Sequence, residues 1–173
     1  MTDRLSETKS VLSRRAVLGA GIAMAACGAP VTAQQKGKPP TRVLFICEFG
    51  TAKSAIAREL FRRRVQERGV AATSFSRGLA VEDHMTPPLR ERLTREGIDP
   101  THDAPVKLPS GDLAKADIVV SFAKLPDPVD RVRLRDWTSL GSVVSDYDHS
   151  MPDLKARIDR LIDEIVAKRR RAR

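Results

Sequence analysis

The stretch Arg42-Val43-Leu44-Phe45-Ile46-Cys47-Glu48-Phe49-Gly50-Thr51-Ala52-Lys53-Ser54 decides how this chain is read. After Arg42 it opens on a continuous apolar run with β-branched residues, the pattern of a strand buried on both faces of a sheet. From Ser54 to Arg68 the period changes. Ile56, Leu60, Phe61 and Val65 recur at helical spacing, and Gly69 stops the run. Only Glu48 to Lys53 remain to join strand to helix. A tight loop feeding a helix N-terminus aims backbone N–H groups at one point and adds the positive end of the helix dipole.

Outward from this unit the same alternation continues. Ala72 to Ser76 is a second short strand, and Pro87-Pro88 opens a helix that runs to about Glu96 before Gly97. Asp117 to Phe122 is a third strand, apolar enough to be buried. Arg131 to Trp137 is a weaker fourth, placed near the sheet edge because its alternate residues are charged. Met151 to about Lys168 carries Leu154, Ile158, Leu161, Ile162 and Ile165 on one helical face. Strands alternating with helices predict one α/β domain around a parallel sheet. No internal repeat is present.

The loop after the first strand is where chemistry is expected, because ligands of open α/β sheets bind beyond the carboxyl ends of the strands. Converging N–H groups from Glu48, Phe49, Gly50, Thr51, Ala52 and Lys53 suit a tetrahedral oxyanion. The same field favours a thiolate at Cys47 and makes it the candidate nucleophile. Gly50 supplies the left-handed backbone such a nest needs. Lys53 adds positive charge, and the Ser54 hydroxyl either hydrogen-bonds the thiolate or caps the helix. A strand-end cysteine by itself is commonly a small buried hydrophobe. A loop glycine, a cation and a serine at the helix start, all in register, argue against that plainer reading.

Cys-x5-Lys-Ser after Val-Leu-Phe-Ile resembles the Cys-x5-Arg-Ser loop of the low-molecular-weight protein tyrosine phosphatases and the related thioredoxin-type arsenate reductases. The likeness extends from about Arg42 to Lys168, with Ser76-Arg77-Gly78 standing where that superfamily has Ser-Ala-Gly. It implies a doubly wound, four-stranded parallel sheet with helices on both faces. By position it makes Cys47 the nucleophile, Gly50 the left-handed loop residue, Lys53 the anion clamp and Ser54 the partner of the thiolate. Its general acid is an Asp-Pro after the fourth strand. Here Thr138-Ser139-Leu140-Gly141 follows Trp137, so the nearest carboxylates are Asp146, the better placed, and Asp148; Asp127-Pro128 comes before that strand. Lys53 in place of Arg exchanges a planar two-point fork for a point charge.

The function the resemblance implies is hydrolysis of a phosphomonoester, with phosphotyrosine among the substrates, through a cysteinyl-phosphate and without cofactor or metal. A non-catalytic phosphate or oxyanion binder is the alternative that Lys53 and the missing Asp-Pro favour. Arsenate reduction is another, and would draw on an external thiol reductant because the domain has no further cysteine. His84, His102 and His149 lie on polar stretches and read as surface residues. Phe49, Tyr147 and Trp137 are the aromatic side chains available to wall a substrate slot.

At the N-terminus, Ser13-Arg14-Arg15-Ala16-Val17-Leu18 and the weakly apolar run to Cys27 resemble a twin-arginine export signal. Val31-Thr32-Ala33 offers a cleavage site. The expected organisation is a signal peptide over 1–33, a linker over 34–41, the folded domain over 42–168 and a basic tail over 169–173. The twin-arginine (Tat) export machinery would then be a partner and the periplasm the destination. Met24-Ala25-Ala26-Cys27 is an imperfect lipobox, so tethering through a lipidated Cys27 is the alternative. The net charge is +9, of which +7 lies beyond residue 33. Much of it sits in Lys168 to Arg173, read as a solvated, frayed helix end: cations suit a helix C-terminus, and no aromatics interleave to stack on bases. No nucleic-acid partner is expected.

Overall fold

The computed structural model describes residues 38–172; the expected export signal, the expected cleavage site and Cys27 lie outside them. Eight elements follow in order: β1 (Thr41–Cys47), α1 (Lys53–Glu67), β2 (Ala72–Gly78), α2 (Pro87–Arg95), α3 (Asp112–Lys115), β3 (Ile118–Ser121), β4 (Leu134–Asp136) and α4 (Tyr147–Arg171). The four strands form one parallel sheet in the order β2-β1-β3-β4. The chain leaves β1 toward β2 on one side and later reaches β3 on the other. The carboxyl end of β1, and Cys47 with it, therefore lies at the topological switch point.

Side chains along β1 alternate between two cores. Val43, Phe45 and Cys47 join the larger one, built with Ile56 and Phe61 of α1, Leu89 and Leu93 of α2, and Leu154, Ile158, Ile162 and Ile165 of α4. Leu44 and Ile46 face a smaller one with Ala116 and Val119, packed by Phe75, Leu108, Leu113 and Leu134. The second face is thus covered by the single turn of α3 and by loops. A four-residue helix has no period to read, which is why the sequence pattern does not reveal α3.

Two elements differ in length from the sequence reading. The fourth strand shrinks to Leu134–Asp136, paired with β3 on one side only. On α4 the helix starts at Tyr147, four residues before Met151, although Pro152 then falls inside it. Burial explains this: Tyr147, Ser150 and Met151 are all covered, and the Ser150 N–H donates to the Asp146 carbonyl at 3.0 Å. The helix also ends later, at Arg171, past the Lys168 that the periodicity suggests. Arg169 donates to the carbonyls of Pro39 (2.9 Å) and Lys38 (3.0 Å), so one of the C-terminal cations meets the segment before β1. Among the described residues no helix is long and apolar enough to cross a membrane.

Candidate active site

The loop from Cys47 to α1 is shaped by its carbonyls. Those of Cys47, Glu48 and Phe49 accept hydrogen bonds from the N–H groups of Leu79, Ala80 and Glu82, at 3.1, 2.8 and 3.4 Å. In a planar trans peptide the N–H points opposite to the carbonyl. Anchoring three carbonyls to the segment after β2 therefore turns the N–H groups of Glu48, Phe49 and Gly50 away from it. The Gly50 N–H shows where they go: it donates to the Cys47 Sγ at 3.1 Å. Gly50 takes the left-handed conformation the sequence reading required, with φ of 76°.

Cys47 is buried, 6% exposed, and its Sγ lies 3.0 Å from the Ser54 Oγ. Ser54 is itself fully covered. Of its two expected roles the structure selects the first. The helix cap is Ala52, which has no capping side chain, and α1 begins at Lys53, so Ser54 lies inside the first turn with its hydroxyl on sulfur. The Ser54 Oγ also lies 3.4 Å from the Arg77 carbonyl. A hydroxyl donating to sulfur stabilises a thiolate more than a thiol.

Lys53 lies half-buried beside this centre, and its Nζ donates to the Leu140 carbonyl at 2.8 Å. Burial lowers its pKa below the usual lysine range, with the charge of Cys47 pulling the other way. The ammonium thus bridges the loop to the segment between β4 and α4. Ala52 is buried and Glu48 exposed; Thr51 donates from Oγ1 to the Glu82 carbonyl (2.8 Å) and accepts from the His84 N–H (3.1 Å).

A cleft of about 310 Å³ opens over Cys47. Its loop side is Cys47, Glu48, Phe49, Ala52 and Lys53; Phe122 enters from the end of β3, Ser142 to Val144 from the segment before α4, and His84 from the segment after β2. The His84 ring stacks on Phe49, centroids 3.6 Å apart and 17° from parallel. His84 is the residue the sequence reading missed as a part of the site, because thirty-odd residues of chain separate it from the loop that receives it. Of the expected aromatic walls, Phe49 is in place. Tyr147 is not: it is buried, donates its hydroxyl to Glu96 at 2.8 Å, and carries Arg92 over its ring. Trp137 packs against Phe45 and Phe122 in the core.

The two carboxylates expected to serve as acid are not brought to this cleft. Asp148 is exposed and paired with Arg92, whose hydrogen bond holds its carboxyl below the usual carboxylate range. That favours the form with no proton to give. Asp146 stands at the cap of α4 with its Oδ1 2.7 Å from the His149 Nδ1. The pair raises the His149 pKa above the ordinary histidine value. Asp127-Pro128 falls before β4, as the sequence order requires. Among the described residues no His, Cys, Asp and Glu group is arranged to hold a metal.

A parallel four-stranded sheet with a cysteine loop at its switch point defines a known class. The family model "Low molecular weight phosphotyrosine protein phosphatase" matches residues 42–131, 90 of the 173 residues, and the chain belongs to that family. Solved structures agree on the fold. A low molecular weight protein tyrosine phosphatase from T. tengcongensis superimposes with a TM-score of 0.58 at 22% identity, over 72% of this chain and 99% of its own. The YwlE arginine phosphatase from Geobacillus stearothermophilus gives 0.62 at 17% identity, over 78% and 98%. The thioredoxin-dependent arsenate reductase of Corynebacterium glutamicum gives 0.62 at 22%, over 75% of this chain and 64% of its own. No curated protein matches the chain by sequence.

Proposed function

We propose that the chain is a thiol-dependent phosphomonoester hydrolase acting through a cysteinyl-phosphate at Cys47. One observation carries this reading: the Cys47 sulfur accepts the Gly50 N–H and lies 3.0 Å from the Ser54 hydroxyl, inside a loop three of whose carbonyls are tied outward. A phosphoryl group seated there meets N–H groups, the N-terminus of α1 and the Lys53 ammonium. Cys47 attacks phosphorus, the leaving oxygen departs with a proton, and water then cleaves the S–P bond. A Cys-to-Ser mutant of a YwlE arginine phosphatase, similar in fold with a TM-score of 0.59, carries a phosphorylated active-site serine, which supports a covalent intermediate on this architecture. No cofactor is needed for these steps.

Turnover of an aryl phosphate by the purified chain under reducing conditions, with Cys47→Ser as control, tests the proposal. Cys47-dependent phosphate release supports it. Phosphate binding without release would replace it with the oxyanion-binder reading, which Lys53 in the clamp position favours. Arsenite formation only on adding an external thiol would replace it with arsenate reduction. On sequence grounds we also place the protein in the periplasm by twin-arginine export. Arg14→Lys with Arg15→Lys should hold the precursor in the cytoplasm, and unchanged export would remove that assignment.

A further inference from the structure

Neither Asp146 nor Asp148, the carboxylates expected to protonate a leaving group, lines the cleft over Cys47, yet other ionisable side chains do. Three of its lining residues besides Cys47 are ionisable: Glu48, Lys53 and His84. The Lys53 ammonium already donates to the Leu140 carbonyl at 2.8 Å. Glu48 belongs to the nucleophile's own loop, and its exposed side chain also borders a separate shallow concavity with Lys107 and Lys124. His84 comes from another segment, lines the same cleft as Cys47, and stacks its ring on Phe49 of the loop.

His84 is also held in place from several directions. Its ring lies flat on Phe49. Its Nε2 lies 3.2 Å from the Glu82 Oε2, and its backbone N–H donates to the Thr51 Oγ1, which in turn donates to the Glu82 carbonyl. The 82–84 segment is thereby pinned to the same loop that holds Cys47. With Nε2 beside a carboxylate, Nδ1 is the ring nitrogen with no hydrogen-bond partner among the described residues. A carboxylate fixing one imidazole nitrogen while the other exchanges a proton is a recurring catalytic arrangement.

We propose that His84, oriented by Glu82, is the general acid and base of this site; the assignment rests on the phosphatase reading above. In the first step the Cys47 thiolate forms an S–P bond while the P–O bond breaks. That electron pair goes to the leaving oxygen, which takes the proton from the His84 imidazolium and departs as an alcohol or phenol. In the second, neutral His84 takes a proton from water as its oxygen bonds phosphorus. The S–P electrons return to Cys47 and phosphate leaves.

The test compares p-nitrophenyl phosphate, whose leaving group needs little protonation, with a simple alkyl phosphate, which needs it fully. His84→Phe keeps a ring on Phe49 and removes the proton. It should lower alkyl phosphate turnover about 10²-fold or more while affecting the nitrophenyl ester much less. His84→Ala should regain alkyl phosphate turnover when free imidazole is added, and Glu82→Gln should show a milder form of the same selectivity. Equal losses on both substrates without imidazole rescue, or no loss in His84→Phe, would overturn the assignment and leave His84 as a wall, with the phosphatase intact. Absence of Cys47-dependent release by the unaltered chain would overturn the phosphatase reading and this step with it.

Discussion

Gly50 and Gly78 touch backbone to backbone: a Cβ on Gly50 would lie 2.9 Å from the Gly78 nitrogen, and one on Gly78 would lie 2.8 Å from the Gly50 nitrogen. The end of β2 thereby packs directly on the Cys47–Lys53 loop, with no side chain between them. Gly78→Ala should destabilise the fold by about 1–3 kcal/mol, the usual cost of forcing extra atoms into close packing. Gly50→Ala should cost more than the steric term alone, since it also places a side chain at positive φ. Denaturant unfolding measures both. Wild-type midpoints would show that the loop is free to move off β2.

The Ser54 hydroxyl lies 3.0 Å from the Cys47 sulfur, where in the proposed mechanism it would stabilise the attacking thiolate and the sulfur leaving group of the second step. A hydrogen bond to a charged group is worth about 1.5–3 kcal/mol. Ser54→Ala should therefore slow kcat roughly ten- to a hundredfold, and Cys47→Ser should abolish it. Single-turnover kinetics would locate the loss. An unchanged rate in Ser54→Ala would mean that the Gly50 N–H suffices.

Burial lowers the Lys53 pKa. An amine with a lowered pKa gives up its charge earlier as pH rises, so phosphate affinity and kcat/KM should begin to fall at a pH below that of an ordinary lysine. Lys53→Arg keeps its charge throughout this range and offers a two-point grip. It should raise kcat/KM at neutral pH and remove the alkaline decline, read from a pH–rate profile. A decline that persists in the arginine variant would assign it to another group.

His149 carries a raised pKa because the Asp146 carboxylate hydrogen-bonds it and attracts its charge. Its ring should titrate above the ordinary histidine value by NMR, and Asp146→Asn should bring the midpoint down. The same variant should leave alkyl and aryl phosphate turnover within about twofold, since Asp146 does not line the cleft. A loss confined to alkyl phosphates would move the acid role from His84 to Asp146.

Much of this was legible in the residues. An apolar run ending in a cysteine, a six-residue loop with one glycine and a helical period beyond it are local patterns, and backbone sterics and burial translate them directly into β1, the nest and α1. Ser54 was legible as a neighbour of the sulfur, since loop length alone limits where it can fall; which of its two roles it plays was not, because that depends on the helix starting one residue earlier.

What tertiary structure decided is what meets over the loop. Sequence proximity suggested Asp146 and Asp148, but α4 begins early to bury Tyr147 and Met151, and this leaves Asp148 with Arg92 and Asp146 with His149. His84 reads as a loop histidine until the segment after β2 folds back, donating N–H groups to the loop carbonyls and setting its ring on Phe49. Local sequence determined the strand, the turn and the placing of Cys47 at the strand end, because these depend on near neighbours and on the period of burial. The His84–Phe49 wall and the tie of Lys53 to Leu140 depend on contacts between distant segments, and those exist only once the whole sheet has closed its core.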